Sequence, residues 1–126
     1  VFGGSMPITV WHYPNCSTCR RALKWLDGRA IAAQRVHIVD SPPSADQLLE
    51  ILSRSGLPVR RLFNTSGVSY RAGDFKSRLP GMTDAQACAA LAADGKLIKR
   101  PLVDAGAAGV LVGFKEADWA VAFGVQ

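Results

Sequence analysis

The sequence predicts an α/β fold: one four-stranded mixed sheet made of a βαβ unit and a ββα unit, with a helical insertion between them. Three observations predict it. A β-branched, aromatic run at 8–13 is followed by apolar residues at helical spacing and then by a second β-branched run at 35–40. Two short apolar runs near the other end, 97–104 and 109–114, are joined by a Gly/Ala turn and followed by a helical stretch. Between these halves, two Ser/Thr-x-x-Gln signatures each precede a helix-forming segment.

The elements follow in order. "ITVWHY" (8–13) reads as a strand that Pro14 and Asn15 end. From Cys16 a helix begins, with Ala22, Leu23, Trp25 and Leu26 on its apolar face and Gly28 as its stop. "RVHIVD" (35–40) is the second strand. A helical crossover between two strands makes them parallel. "SPPS" (41–44) is a turn, and Ser44 with Gln47 forms a capping box ahead of the stripe Leu48, Leu49, Ile51 and Leu52, which Gly56 ends. The stretch 61–82 is rich in Asn, Ser and Gly and predicts a loop with short helical pieces. Thr83 with Gln86 opens a small-residue helix over 84–95. The runs 97–104 and 109–114 pair as an antiparallel hairpin across 105–109, and 115–123 is a final helix. A parallel βαβ joined to a ββα hairpin in one mixed sheet is the thioredoxin-like plan, with residues of about 44–95 as the insertion.

The 126 residues suffice for one domain, expected over 6–126, and "VFGGS" (1–5) reads as a cloning remnant. The chain is 48% hydrophobic and 20% charged, an ordinary globular composition. No apolar run reaches the roughly 18–20 residues of a membrane span, and no secretory leader is visible. The three cysteines are an odd and sparse set for a disulfide scaffold, so the expected setting is the reducing cytoplasm. The formal net charge of +5 is spread along the chain, which predicts a solvated basic surface and no direct nucleic-acid role. None of the glycines follows a strand with G-x-G-x-x-G spacing, so no bound organic cofactor is implied.

The chemistry concentrates in "HYPNCSTCRRALKWL" (12–26). Cys16 leaves the first strand and enters a helix, where backbone N–H groups lack carbonyl partners and the helix dipole is positive. Both favour a thiolate, and Arg20, one turn on, adds a full charge. Cys19 lies almost one turn from Cys16, within reach to resolve a species formed on it. Ser17 and Thr18 offer hydroxyls and N–H groups to a bound anion. Zinc is disfavoured because one pair supplies two ligands of four, and His12 and His37 complete no standard spacing; no metal site is expected. A polar, arginine-bearing turn also argues against an inert buried pair. His12 is open to two readings, a proton donor to the cleft or a half-exposed strand-end histidine. Arg21 reads as a helix-face charge, Cys88 as a small core residue, and Trp25 and Trp119 as core.

"ITVWHYPNCSTCRRALKWL", "LFNTSGVSYR" and "LIKRPLV…GVLVGFKEADW" together resemble the arsenate-reductase-like family, the ArsC/Spx/YffB group of thioredoxin-fold proteins. The resemblance implies that Cys16 attacks an oxyanion, forming a thiol–arsenate adduct that glutathione and glutaredoxin then reduce. It matches Arg20 and Arg100 to family arginines that bind the anion, and places Pro101 where thioredoxin folds keep a cis-proline beside the active cysteine. Arg100 also admits a plainer reading, as a sheet-edge arginine paired with an acidic neighbour. Asn64 and Tyr70 are placed in the cleft by the resemblance alone. The family's arsenate reductases carry a further arginine where this chain has Asn64, another where it has Gly113, and a serine where it has Cys19.

The resulting expectation is a thiol-dependent oxidoreductase. Cys16 would attack an oxyanion or a disulfide, Cys19 would resolve, and glutathione/glutaredoxin or thioredoxin would be the reductant. The alternative is an Spx-like redox switch that binds RNA polymerase when the pair is oxidised.

Overall fold

The computed structural model describes residues 7–125; the expected remnant at 1–5 lies outside the described residues. The four strands are β1 (Thr9–His12), β2 (Gln34–His37), β3 (Leu102–Asp104) and β4 (Val110–Val112), in the order β2-β1-β3-β4. β1 pairs with β2 in parallel and with β3 antiparallel, and β3 pairs with β4 antiparallel. Helix α1 (Ser17–Gly28) makes the crossover from β1 to β2 and α6 (Glu116–Phe123) follows β4. The insertion holds α2 (Ala45–Ser55), α3 (Val68–Ala72), α4 (Phe75–Arg78) and α5 (Asp84–Ala93), with 3₁₀ turns at Val59–Leu62 and Leu79–Gly81.

Period-two alternation along the strands builds a core on each face of the sheet. Val10 and Val103 point to α1 and α6, where they meet Ala22, Trp25, Leu26 and Trp119. Trp11 and Leu102 point the other way, into the insertion, among Leu48, Ile51, Phe63, Cys88, Leu91 and Ile98. Trp25 and Trp119 pack edge to face at 5.8 Å between ring centroids, a favoured aromatic geometry. Both capping boxes form: Ser44 with Gln47 opens α2, and Thr83 with Gln86 opens α5.

Several boundaries differ from the sequence expectation, each for a local reason. Gly28 is the last residue of α1 rather than its stop; Ala30, at φ 54°, makes the reversal, and the Ile31 N–H closes it on the Leu26 carbonyl. β2 ends at His37 because its Nδ1 accepts the N–H groups of Val39 and Asp40 at 3.2 and 3.1 Å, closing a turn. α5 ends at Ala93, since the Asp94 side chain accepts the Lys96 N–H at 3.0 Å and starts a 3₁₀ turn over Gly95–Leu97. The run 97–104 is therefore a strand only at its end. Its first part pairs with the insertion: Asn64 N–H donates to the Leu97 carbonyl and Lys99 N–H to the Leu62 carbonyl, both at 2.7 Å, around a Phe63–Ile98 bridge. The Arg100–Pro101 peptide bond that follows is cis, as expected.

Candidate active site

β1 delivers the chain to the site through Tyr13, Pro14 and Asn15, a turn closed by the Cys16 N–H on the Tyr13 carbonyl at 2.9 Å. Cys16 is not the first residue of α1 but its N-cap: its backbone is extended (φ −95°, ψ 116°) and its Sγ accepts the Cys19 N–H at 3.4 Å. Capping is ordinarily done by a side-chain oxygen. A sulfur in that place accepts best as a thiolate, so helix geometry and nucleophile chemistry favour the same ionisation state.

Partial burial pushes the Cys16 thiol up, but the backbone N–H and thiol of Cys19, the Thr18 backbone N–H and the charge of Arg100 together hold it below the ordinary thiol range. Cys19 is buried with no exposed surface. Burial, the hydrogen bond to Cys16 and the Cys16 charge push it up to about 12, against the pull of the Tyr13 backbone and Arg100. Both are free thiols. The site thus pairs a half-exposed, acidified thiol with a buried, protonated one three residues away. Chemically, such a pair can supply an attacking thiolate and a resolving thiol.

Cys16 opens into a cleft of about 500 Å³. Thr18, Asn64 and Arg100 line it with Cys16, as expected. Four further cations also line it: Arg21, Arg61, Lys99 and Lys115. No carboxylate among the described residues does. The basic residues that look scattered along the sequence are therefore gathered in part by the fold. The short Phe63–Ile98 bridge sets Arg61 and Asn64 against Lys99 and Arg100, and the β4–α6 junction brings Gly113, Phe114 and Lys115 to the same opening. Arg21, expected as a plain surface charge, lies at the cleft with its guanidinium 5.9 Å from the Phe114 ring centroid.

Other expected residues sit apart from this cleft. The Arg20 guanidinium turns back to the Pro14 carbonyl at 2.7 Å, and Arg100, not Arg20, is the arginine whose charge acts on Cys16. Arg100 is held by the Lys96 carbonyl at 3.2 Å and lies 5.1 Å from the Tyr13 ring centroid. Ser17 is exposed and Pro101 buried; neither lines the cleft. His12 faces β2, its ring 6.5 Å from that of His37, and burial with the His37 and Arg35 charges lowers its pKa. Tyr70 is buried in the insertion against Phe63 and Phe75, not in the cleft. A larger cavity of about 730 Å³ lies within the insertion, between Leu57–Arg60, Tyr70 and Leu79–Met82, and contains no cysteine. Among the described residues no group of three or more His, Cys, Asp or Glu side chains converges as a metal site, and no helix is long and apolar enough to cross a membrane.

Arg61, Lys99 and Lys115 are the residues that sequence reasoning missed. Lys99 and Lys115 stand inside segments that carry the family resemblance, so a signal existed for them. Arg61 reaches the site only through the 62–64 to 97–99 pairing, which leaves no local mark in the sequence.

A βαβ–ββα sheet whose first helix is capped by Cys16 of a Cys-x-x-Cys pair defines a thioredoxin-like protein. The family model described as the ArsC family matches residues 11–122, and the chain belongs to that family. It is 43% identical over 111 residues to the uncharacterized protein YusI of Bacillus subtilis, covering 88% of this chain and 93% of YusI. It is 33% identical over 100 residues to an arsenate reductase of Neisseria meningitidis, covering 76% of this chain and 81% of that protein. Its fold matches the crystal structure of an ArsC family related protein from Bacteroides fragilis with a TM-score of 0.88 at 44% identity, over 94% of this chain and 99% of that one.

Proposed function

We propose that this protein is a cytoplasmic, thiol-dependent oxidoreductase in which Cys16 is the nucleophile and Cys19 the resolving thiol. The observation that carries the reading is the contrasting placement of the two sulfurs: Cys16 is a half-exposed helix N-cap whose Sγ accepts the Cys19 N–H, and Cys19 is fully buried. These surroundings hold Cys16 below the ordinary thiol range and push Cys19 up to about 12. With a disulfide substrate, the Cys16 thiolate attacks one sulfur, a mixed disulfide forms, and the other half leaves as a thiolate that takes a proton. Cys19 then loses its proton and attacks Cys16 Sγ, releasing the second half and leaving a Cys16–Cys19 disulfide. With arsenate, Cys16 displaces a hydroxyl as water to form a thiol–arsenate adduct. Attack of Cys19 on Cys16 Sγ moves two electrons to arsenic, releasing arsenite and leaving the same disulfide. Glutathione/glutaredoxin or thioredoxin returns two electrons to the pair.

The cleft supports an anionic substrate. Five cations and, among the described residues, no carboxylate line it, although positions 64 and 113 are Asn and Gly rather than arginine. Fixed charges of one sign in a concave site stabilise negative charge that develops there. The Asn64 and Gly113 departures favour the redox-switch alternative at the level of sequence; the cations gathered from elsewhere in the chain weaken that argument. Thr18 and Asn64 supply polar contacts, and Arg100 tunes the nucleophile.

The test is arsenate-dependent NADPH oxidation, coupled in parallel to glutathione/glutaredoxin and to thioredoxin. Wild type turns over, and Cys16→Ser does not. Cys19→Ser is inactive with thioredoxin if resolution is internal. A wild-type protein that is inactive with arsenate and with disulfides, yet captures RNA polymerase only when oxidised, refutes the enzyme reading in favour of the switch.

A further inference from the structure

We propose that Lys99 binds the anion in the cleft and that position 113 is glycine so that Lys99 can lie across it. The proposal rests on the reading above that the cleft receives an anionic substrate; the ligand class is a tetrahedral oxyanion.

Gly113 is fixed on both sides. Its N–H donates to the Pro101 carbonyl at 2.9 Å, and its carbonyl accepts the Trp119 indole N–H at 3.1 Å. Its φ of +77° is one that L side chains rarely adopt. A Cβ built on this backbone would stand 3.3 Å from Lys99 Cε. A side chain at 113 would crowd the Lys99 stem, and glycine leaves that space to it.

Lys99 is itself well anchored. Its N–H is bonded to the Leu62 carbonyl at 2.7 Å, and the next residue, Arg100, begins the cis peptide bond into β3. Its ammonium has no acidic partner: among the described residues it makes no ion pair, and no carboxylate lines the cleft. Asn64, Ser66 and Cys16 line the same cleft. An uncompensated ammonium on a fixed segment, steered by a glycine that leaves room for its stem, is a preorganised anion ligand.

Inorganic sulfate is the probe, because thiols do not reduce it under these conditions, and the Cys16→Ser protein is the parent, so that no thiol chemistry enters. Binding is followed by amide chemical shifts of Asn64, Gly113 and Lys115. Lys99→Met weakens sulfate about tenfold, the effect of losing a charged hydrogen-bond donor; Lys99→Arg retains most of the affinity. Lys24→Met removes an equal charge from the exposed outer side of α1 and leaves affinity unchanged. Gly113→Ala weakens sulfate when Lys99 is present and adds nothing to Lys99→Met. If Gly113→Ala does not fold, as judged by circular dichroism, the two Lys99 variants decide. Sulfate that shifts no cleft amide in the parent overturns the proposal. So does affinity that Lys99→Met leaves intact, or a Gly113→Ala effect of equal size with and without Lys99. None of these readouts uses turnover: a chain that binds sulfate through Lys99 but reduces nothing refutes the reductase reading alone, and a chain that turns over with Lys99 irrelevant to sulfate refutes this proposal alone.

Discussion

Cys16 caps a helix with sulfur, and that position has a measurable consequence. The donors around its Sγ outweigh the effect of its burial, so its pKa lies below that of an ordinary thiol. Its thiolate, and with it its reactivity, persists to lower pH and declines only as pH falls through that lowered pKa. Burial, with the Cys16 hydrogen bond and charge, pushes Cys19 up to about 12, so it stays a thiol throughout the neutral range. Iodoacetamide labelling mapped by mass spectrometry should place the Cys16 midpoint below that of free cysteine, with Cys19 unlabelled in the folded protein. Equal labelling of both, with an ordinary midpoint, would contradict the geometry. At this scale the sequence was legible where chemistry is local: a Cys-x-x-Cys after a strand and a Pro-Asn turn announces the helix start. It was not legible for Arg20, whose spacing from Cys16 suits a contact but whose guanidinium reaches the Pro14 carbonyl instead.

Elements assigned by a strong local signal formed as expected. Ser44 and Thr83 each cap a helix, because a hydroxyl and a glutamine three residues on satisfy two orphan N–H groups together. Ser44→Ala should cost about 1 kcal/mol, measured as a lower midpoint of urea unfolding with an unchanged slope. No loss there would mean that tertiary packing of Leu48, Ile51 and Leu52 alone sets the start of α2. The boundaries that moved are those where partners distant in sequence decide. Residues 97–99 read as strand and are extended at Ile98, yet they pair with 62–64 rather than with the sheet. Hydrophobic pattern carries no information on which neighbour an extended segment will find.

Across the whole molecule, the insertion and the sheet share one apolar core around Trp11 and Leu102, and two polar or backbone contacts join them beside it. Arg54 of α2 pairs with Asp104 of β3 at 2.8 Å, an exposed contact of small energetic weight. Gly95 is a stricter link: a Cβ there would stand 2.0 Å from the Ile38 carbonyl oxygen, so backbone after α5 lies directly against backbone after β2. Gly95→Ala must shift one of them and should cost about 2–3 kcal/mol, seen as a lower melting temperature together with a slower Cys16, since the displaced segment carries Lys99 and Arg100 into the cleft. A variant with unchanged stability would show that the two segments are free to separate. The overall plan of the fold was legible because its two halves each carry a local signature, whereas the cationic cleft was not: its lining residues come from the start of α1, the 61–66 segment, the 99–100 segment and the β4–α6 junction, and only the assembled fold brings them together.

The most direct test of the account is trapping. Reduced wild-type and Cys19→Ser proteins are mixed with a small disulfide and analysed by intact mass and peptide mapping. The wild type should lose two hydrogens and carry a Cys16–Cys19 disulfide, while Cys19→Ser should stop at a mixed disulfide on Cys16. A Cys19→Ser protein that stays unmodified, or a wild type that holds a stable adduct on Cys16 with Cys19 still a thiol, would contradict the assignment of nucleophile and resolving thiol.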